Sequence, residues 1–169
     1  VVSEYECGNN ISCYGANDAT IEIVTLSSQS TVEVNWVSPS DMIPDGQENS
    51  PILTGLGPAT YIGTATSDLC NELIVIEITE PDPIELSETH SDFNGFSVSC
   101  NGATDGSIDL TVSGGTLPYT FEWSNGENSE DIGFLSSGTY SVNITDENNC
   151  EISASQILVD PLEVTANWT

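Results

Sequence analysis

The 169-residue sequence contains no lysine and no arginine. Against 27 Asp and Glu stands a single histidine, His90, and the formal net charge is −27. Without a cationic side chain no phosphate backbone can be met, so nucleic-acid partners are excluded. Anionic membrane surfaces and acidic glycans are repelled unless a divalent cation bridges them. Surface ion pairs are confined to His90 and the amino terminus, so the fold is expected to rest on burial, backbone pairing and disulfides, with bound metal as a further candidate support. Long apolar runs are missing too. The longest, Leu73 to Ile78, is strand-sized and carries Glu77, far short of the ~18 residues of a membrane span. Membrane insertion is therefore not expected. No initiator Met and no basic–apolar–small leader opens the chain, which reads as a piece of a larger protein with targeting and anchoring elements elsewhere. Gly-x-Ser-x-Gly, a phosphate loop and paired-Cys zinc spacing are all absent, and His90 has no sequence-local catalytic partner. No enzyme is expected. Paired carboxylates are unavoidable among 27 acids, but nothing singles one pair out.

What is present is a duplication. Ser12–Ile23 lies over Ser99–Leu110 with Cys13 on Cys100 and Asp18 on Asp105, and Trp36 falls on Trp123 at the same offset of 87 residues. Leu56–Tyr61 lies over Leu135–Tyr140 at an offset of 79, so the first copy carries about eight extra residues between its Trp and its Tyr. Met42 to Pro51 is the expected place for them. Cys70 then matches Cys150, and Glu80-Pro81 matches Asp160-Pro161. Pro161-Leu162-Glu163-Val164-Thr165 repeats the second copy's opening, Pro83-Ile84-Glu85-Leu86-Ser87. The expected domains are residues 1–82, 83–160 and, at 161–169, the start of a third copy in a tandem array.

Within each copy apolar residues alternate with polar ones, as in Ile108-Asp109-Leu110-Thr111-Val112, Tyr140-Ser141-Val142-Asn143-Ile144 and Thr31–Trp36. That period of two marks half-buried strands. Gly114-Gly115, Ser124-Asn125-Gly126 and Asn148-Asn149 supply turns at roughly ten-residue spacing, which predicts about seven strands per copy and an all-β sandwich of Ig-like type. Trp36 and Trp123 suit the space between sheets. Tyr61 and Tyr140 suit a tyrosine corner, in which the hydroxyl bonds nearby backbone. Stacking of these four on sugar rings is the functional alternative. His90, within a loop-like stretch from Ser87 to Asn94, reads as an exposed loop residue.

Cys13 with Cys70 and Cys100 with Cys150 give one bridge per copy as the simplest pairing, each closing a loop of about 50 residues and contributing roughly 4 kcal/mol in the loop-entropy account. Such bridges belong to an oxidising, extracytoplasmic setting. Cys7 is left unpaired, with a preceding copy or Cys70 as its open options. Asp105, Asp109, Asp146, Asp18 and Glu22 sit in oxygen-rich stretches that could hold Ca²⁺, although none has EF-hand spacing and Asp, Asn and Gly are also turn formers. Glu80, Asp82, Glu85 and Asp160 form a second candidate at the hinge between copies. No cofactor is required. Asn10, Asn143 and Asn167 head weak glycosylation signals, and Trp168 belongs to the incomplete copy.

Phe96–Ile108, Gly114–Trp123, Gly138-Thr139-Tyr140 and Asp146–Cys150 together closely resemble the SprB-type repeat, which occurs in tandem in giant cell-surface adhesins of gliding Bacteroidetes and in related surface proteins. The second copy matches almost throughout. The first is degenerate: Gly-Gly-Thr-x-Pro-Tyr is absent before Trp36, and Ala19 replaces Gly106. The resemblance implies an Ig- or PKD-like sandwich, export to the cell surface and a part in adhesion or gliding motility, and it supplies no catalytic residue. The function expected is a structural module of a long extracellular adhesin or filament, with neighbouring repeats as partners. The alternative is a calcium-dependent module that binds extracellular polysaccharide.

Overall fold

The computed structural model describes residues 1, 8–24, 32–37, 42–67 and 71–166. The chain forms two compact units, Val1–Pro83 and Ile84–Thr169. In the second, six strands follow in order: β6 (Glu85–His90), β7 (Gly106–Ser113), β8 (Thr120–Trp123), β9 (Ile132–Leu135), β10 (Gly138–Thr145) and β11 (Glu151–Leu158). They pair antiparallel into two sheets, β6-β7-β9 and β11-β10-β8.

Alternation decides which side of each strand is buried. In β7, Gly106, Ile108 and Leu110 face inward while Ser107, Asp109 and Thr111 face solvent. Val142 and Ile144 do the same from β10. Together with Trp123, Ile132, Leu135 and Leu158 they form the core between the sheets. Fully burying one such side chain stabilises the fold by about 1.5–3 kcal/mol. The result is an all-β, Ig-like sandwich.

The first unit repeats the plan with β1 (Ala19–Glu22), β2 (Glu33–Trp36), β3 (Ile52–Leu56), β4 (Ala59–Thr66) and β5 (Asn71–Ile78). Its sheets are β1-β3 and β2-β4-β5, and its core gathers Ile11, Ile21, Trp36, Leu53, Leu56, Tyr61 and Ile78. Both units carry the same bulge: the β1–β3 register shifts between Ala19 and Thr20, and the β7–β9 register between Gly106 and Ser107.

Two expectations change and a third narrows. Among the described residues the second copy has six strands rather than about seven. His90 is the last residue of β6, paired with Ile108, and not part of a loop; the ladder to β7 extends through residues whose exposed, polar composition hid the strand. The extra residues of the first copy lie before Glu48, because Trp36 N donates to Glu48 O as Trp123 N donates to Glu127 O, already at the offset of 79.

Candidate functional site

Within the second unit, β11 runs from a leading pole, where the chain arrives at Ile84, to a trailing pole, where it leaves past Val159. Eight residues of strand separate the two, about 26 Å at ~3.3 Å per residue. The features shared by both copies concentrate at these poles and around the core aromatics.

At the trailing pole a loop is tied to the end of the last strand. Ser97 N donates to Val159 O, and Val159 N to Ser97 Oγ. Ser99 N donates to Asp105 Oδ1 (3.0 Å), Gly102 N to Asp160 Oδ1 (3.4 Å) and Ala103 N to Cys100 O (3.0 Å). The first copy makes the same set: Asn10 N to Thr79 O, Thr79 N to Asn10 Oδ1, Ser12 N to Asp18 Oδ1, Gly15 N to Glu80 Oε2 (2.7 Å) and Ala16 N to Cys13 O. The side-chain and backbone donors of Ser99 hold the Asp105 carboxyl below the usual carboxylate range. Asp18 and Asp105 thus act as anchors for a turn.

At the leading pole of the second copy Asp146 is the organising group. Only 5% exposed, its carboxylate accepts from Thr116 N (2.8 Å), Asn148 N (2.9 Å) and Cys150 N (2.9 Å). Asn148 Nδ2 also donates to Thr116 Oγ1 (3.1 Å). Gly115, at φ +56°, lets this knot close: a Cβ there would lie 2.7 Å from Ile84 Cγ1 and 2.9 Å from Asp146 Oδ2. Tyr119 donates its hydroxyl proton to Gly114 O. Burial, and then the negative charge of Asp146 and Glu130, push the Tyr119 phenol up. The Gly-Gly-Thr-x-Pro-Tyr motif therefore builds one end of the sandwich.

The aromatics are structural in their contacts. Trp36 and Trp123 are buried, and each indole N–H donates at 2.9 Å to a backbone carbonyl, Ser50 O in one copy and Ser129 O in the other. Tyr61 and Tyr140 donate to Gly57 O and Ser136 O, both at 3.1 Å and both four residues back. A side chain enclosed in a core cannot offer its face to a sugar ring, and Trp36, Trp123 and Tyr61 are all so enclosed.

Within the second unit the acidic residues singled out from the sequence are spread out, Asp105 at the trailing pole, Asp146 at the leading pole and Asp109 exposed on β7; within the first unit Asp18 ties a turn and Glu22 is exposed on β1. Among the described residues no group of three or more His, Cys, Asp or Glu is placed to hold a metal ion. His90 Nδ1 lies 3.0 Å from Gln156 Nε2 beside an open groove of about 470 Å³ lined by Asp92, Phe96 and Ile157. A groove on the first copy is lined by Asn17, Met42, Pro44 and Tyr61, at positions that do not correspond to those of the groove beside His90.

The cysteines depart from the expected pairing. Cys13 and Cys150 each take part in a disulfide, whereas Cys100 is an exposed, free thiol. The Cys100–Cys150 bridge is thereby overturned, for a geometric reason. Cys100 belongs to the trailing pole, where its neighbour Asn101 donates to Pro161 O (3.1 Å), while Cys150 precedes the first residue of β11. Disulfides need Cα atoms within about 7 Å. Cys7, Cys70, Asn167 and Trp168 lie outside the described residues.

One residue escaped notice in the sequence. Phe134, in β9, is 93% exposed and has φ +57°. Its counterpart at the offset of 79 is Gly55, at φ +74°. The glycine was the available signal.

Residues 97–128 match the family described as SprB repeat, the stretch that holds the trailing-pole loop, the leading-pole glycines and the strand ending at Trp123. Solved structures that align with the chain include the C-terminal 282-residue fragment of intimin in complex with the intimin-binding domain of the translocated intimin receptor, at 14% identity and a TM-score of 0.44, covering 83% of this chain and 57% of that one. A structure concerning Dscam isoform specificity aligns at 12% identity and a TM-score of 0.36, covering 78% and 38%. The chain thus spans little more than half of the intimin fragment. No curated protein sequence matches this chain.

Proposed function

We propose that this chain is a spacer segment of a long extracellular adhesin or filament that serves surface adhesion and gliding motility. The observation that carries the reading is what duplication has kept. The bonds common to the two copies pin turns, strand ends and core aromatics, whereas His90, the single histidine of the sequence, occurs in one copy alone. A module under selection for a ligand would repeat its binding surface; a module under selection for persistence would repeat its supports. The SprB repeat match at 97–128 adds a surface-adhesin context, and a charge of −27 keeps densely packed copies apart and soluble.

A glycan array tests the reading. The chain, fluorescently labelled at Cys100, is applied in calcium buffer and again with chelator. No saturable binding is expected in either. Saturable, chelator-sensitive binding would replace the spacer role with calcium-dependent recognition of polysaccharide, and hydrolysis of any arrayed polymer would replace it with an enzymatic one.

A further inference from the structure

We propose that the free edge of β11 is a docking site for an extended, basic segment of another protein. The segment adds to the sheet of the second unit as a further strand and sets its cationic side chains toward Glu88 and Asp92.

β11 is an end strand of its sheet, and its register fixes which backbone groups face outward. Along an antiparallel strand these groups alternate, one residue's turned toward the neighbour and the next residue's turned away. Val159, just past the strand, turns away from β10: its C=O accepts from Ser97 N (2.9 Å) and its N–H donates to Ser97 Oγ (3.1 Å). At every second residue back from it, Ile157, Ser155 and Ser153 turn the same way. The other side of the ladder agrees, since Ser141, the partner of Ser155, gives its C=O to Ser124 N (2.8 Å) on the β8 side. Ile157 O accepts a long bond from Gln156 Nε2 (3.4 Å). Ser153 and Ser155 meet no partner on the free side among the described residues, and all three residues are exposed.

Edge strands are ordinarily blunted by charge, proline, short length or a bulge. The other end strands of this unit follow that rule. β6 carries Glu85 and Glu88, β8 is four residues long and carries Glu122, and β9 is four residues long and pairs across the bulge at Gly106. β11 pairs with β10 over eight residues without a shift in register, and from Ile152 to Val159 it has neither a charged residue nor a proline. Its counterpart β5 carries Glu72 and Glu77 on the rungs where β11 has Ile152 and Ile157. The open edge is thus a divergence of the second copy, and the inference goes beyond the spacer reading without resting on it.

The groove beside the edge selects the occupant. His90 of β6 lies 3.0 Å from Gln156 of β11, so the two end strands share one flank, and the groove there is lined by Glu88, Asp92, Phe96, Ile157 and Val159. A strand added to β11 lies about 4.8 Å from it. Its side chains alternate between the outer face, where Ile157 is 60% exposed, and the groove, where Glu88 and Asp92 are exposed carboxylates. This chain has no Lys or Arg to answer them, and a net charge of −27 sets a second copy against pairing edge to edge. Lys or Arg on the groove side and apolar residues on the outer side of an added strand meet both surfaces, while the backbone supplies the ladder.

Fluorescence anisotropy and amide hydrogen exchange test the site, with the full chain and a fluorescein-labelled peptide of alternating lysine and valine as long as β11. The expected result is saturable binding, slowed exchange at the Ser153 and Ser155 amides, and no binding of the matching glutamate–valine peptide. Ser155→Pro removes an outward N–H without breaking a bond to β10 and should weaken binding about tenfold. Ser155→Lys, at an exposed position that leaves the fold intact, blunts the edge with charge and should weaken it as well. Absence of saturable binding, undiminished binding by either variant, or protection on β5 in place of β11 would overturn the proposal. Equal binding of the same peptide with N-methylated amides would overturn it in favour of charge attraction alone. Protection of Ser153 and Ser155 that grows with protein concentration, without peptide, would overturn it in favour of a second copy as the occupant.

Discussion

Phe134 and Gly55 occupy one position of the repeat, both at positive φ, yet only the glycine can adopt that conformation without crowding its own carbonyl. An L-residue there costs roughly 1–2 kcal/mol, and with its ring 93% exposed Phe134 gains almost nothing from burial in return. Phe134→Gly should therefore raise the unfolding free energy of the second copy by about 1 kcal/mol, measurable as a higher urea midpoint. The opposite holds at Asp146, whose buried carboxylate satisfies three backbone N–H groups. Asp146→Ala should destabilise the second copy by about 2–3 kcal/mol and Asp146→Asn by less, since an amide oxygen still accepts. The Tyr61 phenol makes a pH-dependent contribution. Burial, offset in part by the bond to Gly57, pushes it above the ordinary tyrosine value. A raised folded-state value means that its stabilisation is complete below about pH 10 and is lost as pH rises through the folded value. Melting curves should show Tyr61→Phe less stable than the native chain by about 1 kcal/mol at neutral pH, with the gap closing in alkali.

Among the elements, β4 and β10 show how one plan tolerates two packings. Gly63 in β4 pairs with Trp36, and a Cβ on it would come within 2.7 Å of the Trp36 ring. The counterpart in β10 is Val142, which pairs with Trp123. The indoles must therefore lie differently over their sheets, although their N–H groups end on equivalent carbonyls. Gly63→Val, which copies the second repeat into the first, should cost about 1–3 kcal/mol by overpacking, whereas a neutral outcome would show that Trp36 is free to move. The strand faces in β7 and β10 were legible because a period of two leaves no choice of face once a core exists. The edge strand β6 was not, because Glu85–His90 is exposed at five of its six positions and an edge lacks that alternation. Nor were the poles: sequence spacing between Cys100 and Cys150 says nothing about the end of a strand at which each falls. The role of Asp146 was hidden for a similar reason, since a carboxylate that caps a buried turn and one that holds a cation have the same residue type.

For the molecule as a whole, 27 carboxylates without a basic side chain mean that every copy folds against its own repulsion. Screening falls to a Debye length of about 10 Å at 0.1 M salt, so added NaCl should raise the melting temperature progressively. CaCl₂ at matched ionic strength should do no more, because among the described residues no group of three or more His, Cys, Asp or Glu is placed to hold a metal ion. An excess stabilisation by calcium would reveal a site assembled from residues outside those described.

The two poles of the second unit also settle how it would meet a pull. Tension reaches it at Ile84, on the first residue side of β6, and leaves past Leu158, at the end of β11. Each of these strands would be dragged along its own axis, β6 past β7 over six paired residues and β11 past β10 over eight. In that shear geometry the rungs of a ladder share the load and fail together, where an unzipping geometry would break them singly. The two strands lie in different sheets, so the load crosses from one to the other through the packed core around Trp123.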